Sequence, residues 1–172
     1  MKISLDGKVV MTINGKEQGW KKATAIAVAP DGRIFVADGY GSSKVFIYNQ
    51  DGKFIKEFGV KGSGQGQFKT SHGLAIDARG EKPVLLVCDR ENRRLQSVDL
   101  ETLEIKVLTT GLRRPCAVSL WGEYTAIAEL EGRVVILDKN YQVVSKIGDN
   151  PDKSQWAKNP VKPEAWQAGI FT

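Results

Sequence analysis

Three side chains with chemical reach stand at matching places in the chain. His72, the only histidine, lies in FKTSHGLAID, Phe68–Asp77. Arg90 follows the apolar run of VLLVCDRENRRLQSVD, Val84–Asp99, and is flanked by Asp89, Glu91 and Asn92. An earlier stretch, IAVAPDGRIFVADGYGSSKVFIY at Ile26–Tyr48, repeats the same plan and carries Tyr40 near the place Arg90 takes. Each type has a chemical use and a plain one. An imidazole carries a proton or ligates a metal, yet a histidine opening an inner strand also serves as a hydrogen-bonded structural residue. A phenol transfers a proton or caps a turn with its hydroxyl in water. A guanidinium fork takes a ligand carboxylate, or pairs with Glu91 or a carboxylate of a neighbouring unit.

The elements that must hold these residues are short strands. Helical periodicity is nearly absent, and alternating runs of about four to eight residues between Asp-Gly, Gly-Ser and Asn-Gln-Asp turns dominate. Lys2–Leu5 and Val9–Ile13 read as a hairpin over Asp6-Gly7. Ala25–Ala29, Ile34–Asp38, Val45–Tyr48 and Phe54–Phe58 read as a first set of strands, followed by a Gly/Lys linker, Val60–Gly66. Gly73–Ile76, Val84–Asp89, Leu95–Asp99 and Ile105–Leu108 make a second set. Ala117–Leu120, Thr125–Glu129, Val134–Asp138 and Val143–Ile147 make a third. A four-strand unit recurring every ~40–50 residues is the mark of a β-propeller blade. The expected fold is therefore all-β, a partial propeller of four-stranded antiparallel blades. It divides into a hairpin at 1–20, blades at 21–60, 67–110 and 112–148, and an irregular tail at 149–172. Three blades fall short of the roughly four to eight that close a ring. Such a unit belongs to a larger propeller or closes its ring with a second copy, so a homodimer is the expected partner.

Asp38 and Asp89 end equivalent strands and read as acceptors of backbone N–H groups in the turns that follow. Cys88 and Cys116 read as small buried residues. Trp20, Trp121, Trp156 and Trp166 read as packing or interface residues. At 172 residues, with 41% hydrophobic and 26% charged residues, the chain has the length and composition of one globular domain. No apolar run approaches the ~18 residues that span a bilayer. The start, MKISLDGKVV, lacks the apolar core of a signal peptide, so the expected setting is the cytoplasm and no membrane partner.

Lys and Arg number 25 against 20 acidic residues, a net charge of +5. Blade geometry sorts these charges by face. The upper face, with Tyr40, His72 and Arg90, collects Lys21, Lys22, Lys44, Lys61, Lys69, Arg93, Arg94, Arg113 and Arg114. The lower takes Asp6, Asp31, Asp51, Asp77, Glu81, Asp99, Glu101 and Asp138. An anionic small molecule or peptide is the ligand that such a basic upper face accepts, with Arg93, Arg94, Arg113 and Arg114 as its anion-binding candidates.

VADGYGSSKVFIYNQDGKFIKEFG and FKTSHGLAID…VCDRENRRLQSVDL resemble the NHL-repeat propellers. More narrowly, Asp38-Gly39-Tyr40, Ser71-His72-Gly73-Leu74-Ala75 and Asp89-Arg90-Glu91-Asn92 resemble the peptidyl-α-hydroxyglycine α-amidating lyases, in that family's order and at similar separations. The resemblance covers most of Ala23–Leu100 and extends loosely into the third blade. It implies a zinc lyase that splits a carbinolamide into an amide and glyoxylate. Tyr40 then matches the proton-transferring tyrosine, His72 one of three zinc-binding histidines, and Arg90 the substrate-holding arginine. The chain departs from that pattern in having one histidine, whereas a catalytic zinc takes three protein ligands. The favoured reading is a lyase-related ligand-binding or interaction module whose zinc chemistry is degenerate. The alternative is an active lyase-type zinc enzyme once the ring is completed. An RNA platform comes third, because Tyr40 is the one aromatic among the basic residues.

Overall fold

In the computed structural model, residues 1–156 are described. Their strands are β1 (Lys2–Ile3), β2 (Val9–Met11), β3 (Ala25–Val28), β4 (Ile34–Ala37), β5 (Val45–Tyr48), β6 (Phe54–Phe58), β7 (Val60–Lys61) and β8 (Gln67–Phe68). They continue with β9 (Ser71–Asp77), β10 (Val84–Asp89), β11 (Arg94–Asp99), β12 (Ile105–Thr110), β13 (Pro115–Trp121), β14 (Tyr124–Glu129), β15 (Arg133–Leu137) and β16 (Val143–Ile147). A 3-10 turn at Lys153–Gln155 follows. Among the described residues no helix is long and apolar enough to cross a membrane.

The strands form three four-stranded antiparallel meanders, β3–β6, β9–β12 and β13–β16. They are four-stranded antiparallel blades of a partial propeller, the expected fold class. β9, the innermost strand of the second blade, lies between β3 and β13, so the three inner strands face a common axis. The Val60–Gly66 run is more ordered than a linker: β7 and β8 pair in parallel, Val60 with Gln67 and Lys61 with Phe68. Pro115 opens β13, a place where a missing N–H costs no ladder bond.

Alternation along each strand builds one core between each pair of blades. Ala27, Phe35, Ala37, Val45 and Ile47 meet Leu74, Leu85, Val87 and Val98 between the first and second. Leu86, Cys88 and Leu95 meet Ile127, Val135 and Leu137 between the second and third. Each fully buried Leu, Ile or Phe contributes roughly 1.5–3 kcal/mol. The outer side of the first blade is covered by Met11, Ile13 and Trp20, which pack on Ile34, Val36, Phe46 and Tyr48.

A second repeated device latches the upper face. The carboxylate just after or ending each blade's second strand, Asp38, Asp89 or Glu129, accepts the backbone N–H of the segment leading into that blade. Asp38 takes Lys21 and Lys22 at 3.0 and 2.6 Å, Asp89 takes Lys69 at 2.7 Å and Glu129 takes Arg113 at 2.6 Å. Asp38 also takes Ser42 N–H in the turn that follows, at 2.7 Å. On the lower face, Asn49, Asp99 and Asp138 each accept two backbone N–H groups of the turn they begin, as short polar side chains do in such turns. Arg33 and Arg79 staple neighbouring blades there, reaching Glu101 and Thr125 at 2.7 Å.

Candidate functional site

The latched turns bring the upper ends of the first two blades together. Gly39 sits where a Cβ would lie 2.3 Å from the Ser71 carbonyl oxygen, so only glycine lets the Asp38–Tyr40 turn approach β9 this closely. Thr24 Oγ1 donates to that same carbonyl at 2.7 Å. Tyr40 is thereby delivered to His72, the second residue of β9. Their rings meet edge to face with centroids 5.5 Å apart.

The hydrogen bonds assign each proton. His72 Nδ1 faces the Cys116 carbonyl oxygen at 2.8 Å, an acceptor only, so the neutral ring carries its proton on Nδ1. Nε2 is then a free acceptor, and the Tyr40 hydroxyl lies 3.1 Å from it. Arg90 Nη1 donates to the Tyr40 oxygen at 2.8 Å, with the guanidinium carbon 5.0 Å from the ring centroid. Tyr40 thus donates to His72 and accepts from Arg90. Burial, aided by the nearby Arg90 charge, holds the His72 pKa below its ordinary value, although the Cys116 carbonyl opposes this. A neutral His72 whose Nε2 lone pair accepts from the Tyr40 hydroxyl is the result.

Arg90 is fixed from behind. Its Nε donates to Glu91 Oε1 at 2.9 Å, and Arg114 Nη2 donates to the same oxygen at 2.6 Å. Burial opposes ionisation of Glu91, but Arg114 and Arg90 outweigh it and hold its pKa below the usual carboxylate value. Burial also opposes the Arg90 charge, which Tyr40 and Glu91 restore. Arg90 is buried at 6% exposure, whereas Tyr40 is 55% exposed; the cluster has a solid floor and an open phenol. Among the described residues no oxygen accepts from Arg90 Nη2, and the half-buried Cys116 thiol lies near the guanidinium.

Tyr40, His72 and Arg90 are therefore brought together, from β9 and from the turns after β4 and β10. The four arginines expected to bind an anion are engaged elsewhere. Arg94 is buried and donates to Asp89 at 2.8 Å and to the Ser63, Gly64 and Gln67 carbonyls. Arg93 pairs with Glu131 and Arg113 with Asp149, and Arg113 also stacks 3.5 Å above Trp156. Arg114 holds Glu91. These guanidiniums join loops and blades in this structure. Cys88 is buried and Cys116 half-buried, both as free thiols. Trp20 donates to the Tyr48 hydroxyl at 2.7 Å, Trp121 is exposed, and Trp166 lies outside the described residues. Sequence reasoning missed the Cys116 carbonyl, since a backbone acceptor leaves no residue-type signal, and missed the Glu91–Arg114 brace, which spans two blades.

A zinc ion does not fit the described residues alone. Among them no group of three or more His, Cys, Asp or Glu side chains is placed to hold a metal. His72 Nε2 is the one histidine nitrogen available, and Tyr40 occupies it.

A family model described as a 6-bladed beta-propeller matches residues 21–114, more than half of the chain. The chain belongs to this six-bladed β-propeller family. Among curated relatives, peptidylglycine alpha-amidating monooxygenase of Rattus norvegicus is 38% identical over 86 residues, covering 47% of this chain and 9% of that protein. A Caenorhabditis elegans protein named "Probable peptidyl-alpha-hydroxyglycine alpha-amidating lyase" is 29% identical over 146 residues, covering 80% of this chain and 41% of that one. The chain thus spans less than half the length of either relative. Among solved structures, one chain of a nidogen/laminin complex matches with a TM-score of 0.60 at 20% identity, over 74% of this chain and 48% of that one; this supports the fold. The propeller is related to those of the amidating lyases.

Proposed function

We propose that this propeller binds the α-hydroxyglycine end of a peptide at the Tyr40–His72–Arg90 cluster. One observation carries the reading: the exposed Tyr40 hydroxyl is held between a guanidinium donor and a neutral imidazole acceptor. The Nη2 arm of Arg90 suits the terminal carboxylate as a charge-assisted hydrogen bond. The Tyr40 oxygen keeps a lone pair beyond the one that Arg90 uses, which suits it to accept from the carbinol hydroxyl. Charge that develops on the phenol oxygen as its proton passes to Nε2 lies against Arg90, the arrangement of an acid–base site. The relatives named as amidating lyases support the ligand class.

Lyase turnover is the second reading, favoured by that same poise of Tyr40 between donor and acceptor. The resemblance of the Tyr40, His72 and Arg90 motifs to the lyases brings zinc with it as a proposal, and its further ligands would come from outside the described residues. Titration with N-benzoyl-α-hydroxyglycine, with glyoxylate measured in parallel, tests both. Saturable binding that weakens about tenfold or more in Arg90→Gln supports the binding reading, at the ~1.5–3 kcal/mol of a charge-assisted hydrogen bond. Absence of binding by the wild-type chain overturns it. Glyoxylate release that disappears in Tyr40→Phe establishes the second.

A further inference from the structure

The charge left over on the upper face comes from lysines. Around the cluster, Asp38 is engaged by backbone N–H groups and Ser42. Asp89 is engaged by Lys69 N–H, Asn92, Arg94 and Gln96, and Glu91 by Arg90 and Arg114. The arginines are tied to carboxylates, and Lys44 pairs with Glu57. Lys21, Lys22, Lys61 and Lys69 have no acidic partner within salt-bridge distance among the described residues, and all are exposed.

Their placement follows from the fold. Lys21 and Lys22 lead into β3 and Lys69 into β9, on the latches of Asp38 and Asp89. Lys61 stands opposite Phe68 across the β7–β8 pair, beside Lys69. The Lys69 carbonyl accepts Glu91 N–H, and the next carbonyl, of Thr70, accepts Arg90 N–H. On the other side, Thr24, two residues after Lys22, accepts Gly39 N–H next to Tyr40. These lysines therefore stand on or beside the segments that support Tyr40 and Arg90, on both of the blades that build the cluster. In the third blade the matching residue is Arg113, whose charge is engaged by Asp149.

We infer that Lys21, Lys22, Lys61 and Lys69 select acidic peptides, attracting carboxylates upstream of the residue held at the cluster. The inference rests on the binding site read above and adds its substrate class. Exposed charges act weakly one by one, and several acting on one ligand add up and respond to salt.

Fluorescence anisotropy with two labelled peptides of equal length ending in glycine, one rich in Asp and Glu and one rich in Lys, tests it without any turnover. The acidic peptide binds about tenfold tighter at low salt, and the preference shrinks as ionic strength rises. Lys21→Glu/Lys22→Glu/Lys69→Glu reverses it, with folding verified by circular dichroism. Arg90→Gln weakens both peptides and keeps the preference. Equal affinity for the two peptides, with Arg90 dependence intact, overturns the inference and leaves the site reading standing. A preference that depends on the lysines but is indifferent to Arg90→Gln and Tyr40→Phe overturns selection at this site and the site reading with it. Binding of neither peptide does the same. Tighter binding of a single-stranded RNA through the same lysines overturns the peptide assignment.

Discussion

Removing the Asp89 carboxylate isolates the energy of the latch that positions the site. Asp89 is fully buried and accepts from Lys69 N–H at 2.7 Å, Asn92 Nδ2 at 2.8 Å, Arg94 Nε at 2.8 Å and Gln96 Nε2 at 3.1 Å. In Asp89→Ala the Arg94 guanidinium stays buried without a counter-charge, a loss of about 3–5 kcal/mol. Arg94 keeps three backbone carbonyls, on Ser63, Gly64 and Gln67, which places the expected loss near 3 kcal/mol. For a domain of this size that lowers Tm by about 6–12 °C. Asp89→Asn keeps an oxygen for Lys69 and loses the charge, so about half the loss is expected, in line with the doubled strength of charge-assisted bonds. Thermal melts and urea titrations of the two variants measure this directly. An alanine variant melting within about 2 °C of wild type would refute the latch as the device that fixes the upper face.

Acidification tests the His72 environment. Burial lowers its pKa below the ordinary 6.5, so between the folded value and 6.5 the unfolded chain binds more protons. Stability therefore rises with pH through that window and is level above it. Urea midpoints across pH 5–7 show this slope in wild type and a flatter one in His72→Gln; equal slopes contradict the assignment. Gly59→Ala costs about 1–3 kcal/mol, because φ is +87° there and the added Cβ would lie 2.6 Å from the Phe68 ring. A chemical denaturation midpoint equal to wild type counts against that packing. Self-association is proposed through the outer side of the third blade, where Ala117, Ser119, Trp121 and Ala128 are exposed. Light scattering then gives twice the chain mass for wild type and the single-chain mass for Ala128→Glu, whereas a monomeric wild type at every concentration contradicts it.

The blades were legible because alternation and Asp-Gly turns are local signals. β5, β6, β10 and β16 fall where the residues alone place them. What escaped lacks such a signal. Val60–Phe68 has no alternation, yet its ends pair in parallel across the glycine-rich loop. Thr70, Arg93 and Arg114 adopt positive φ of 66°, 56° and 56°, at positions where no glycine announces it. Trp20, Phe68 and Leu112 each plug the lead-in to a blade, and three different residue types conceal one role. For the site, the matched turns pointed to Tyr40, His72 and Arg90. Charge counting could not separate arginines that bind one another's blades from lysines left facing water, because pairing depends on which turns the ring brings together.

Tyr40 and Arg90 are proposed to act on one ligand as a coupled unit. A double-mutant cycle of Tyr40→Phe and Arg90→Gln, read by calorimetric binding of N-benzoyl-α-hydroxyglycine, measures that coupling. Each variant is expected to weaken binding, and the double variant to lose less than the sum, with a coupling above about 0.5 kcal/mol. Losses additive within about 0.3 kcal/mol, or a wild type that does not bind, would contradict it.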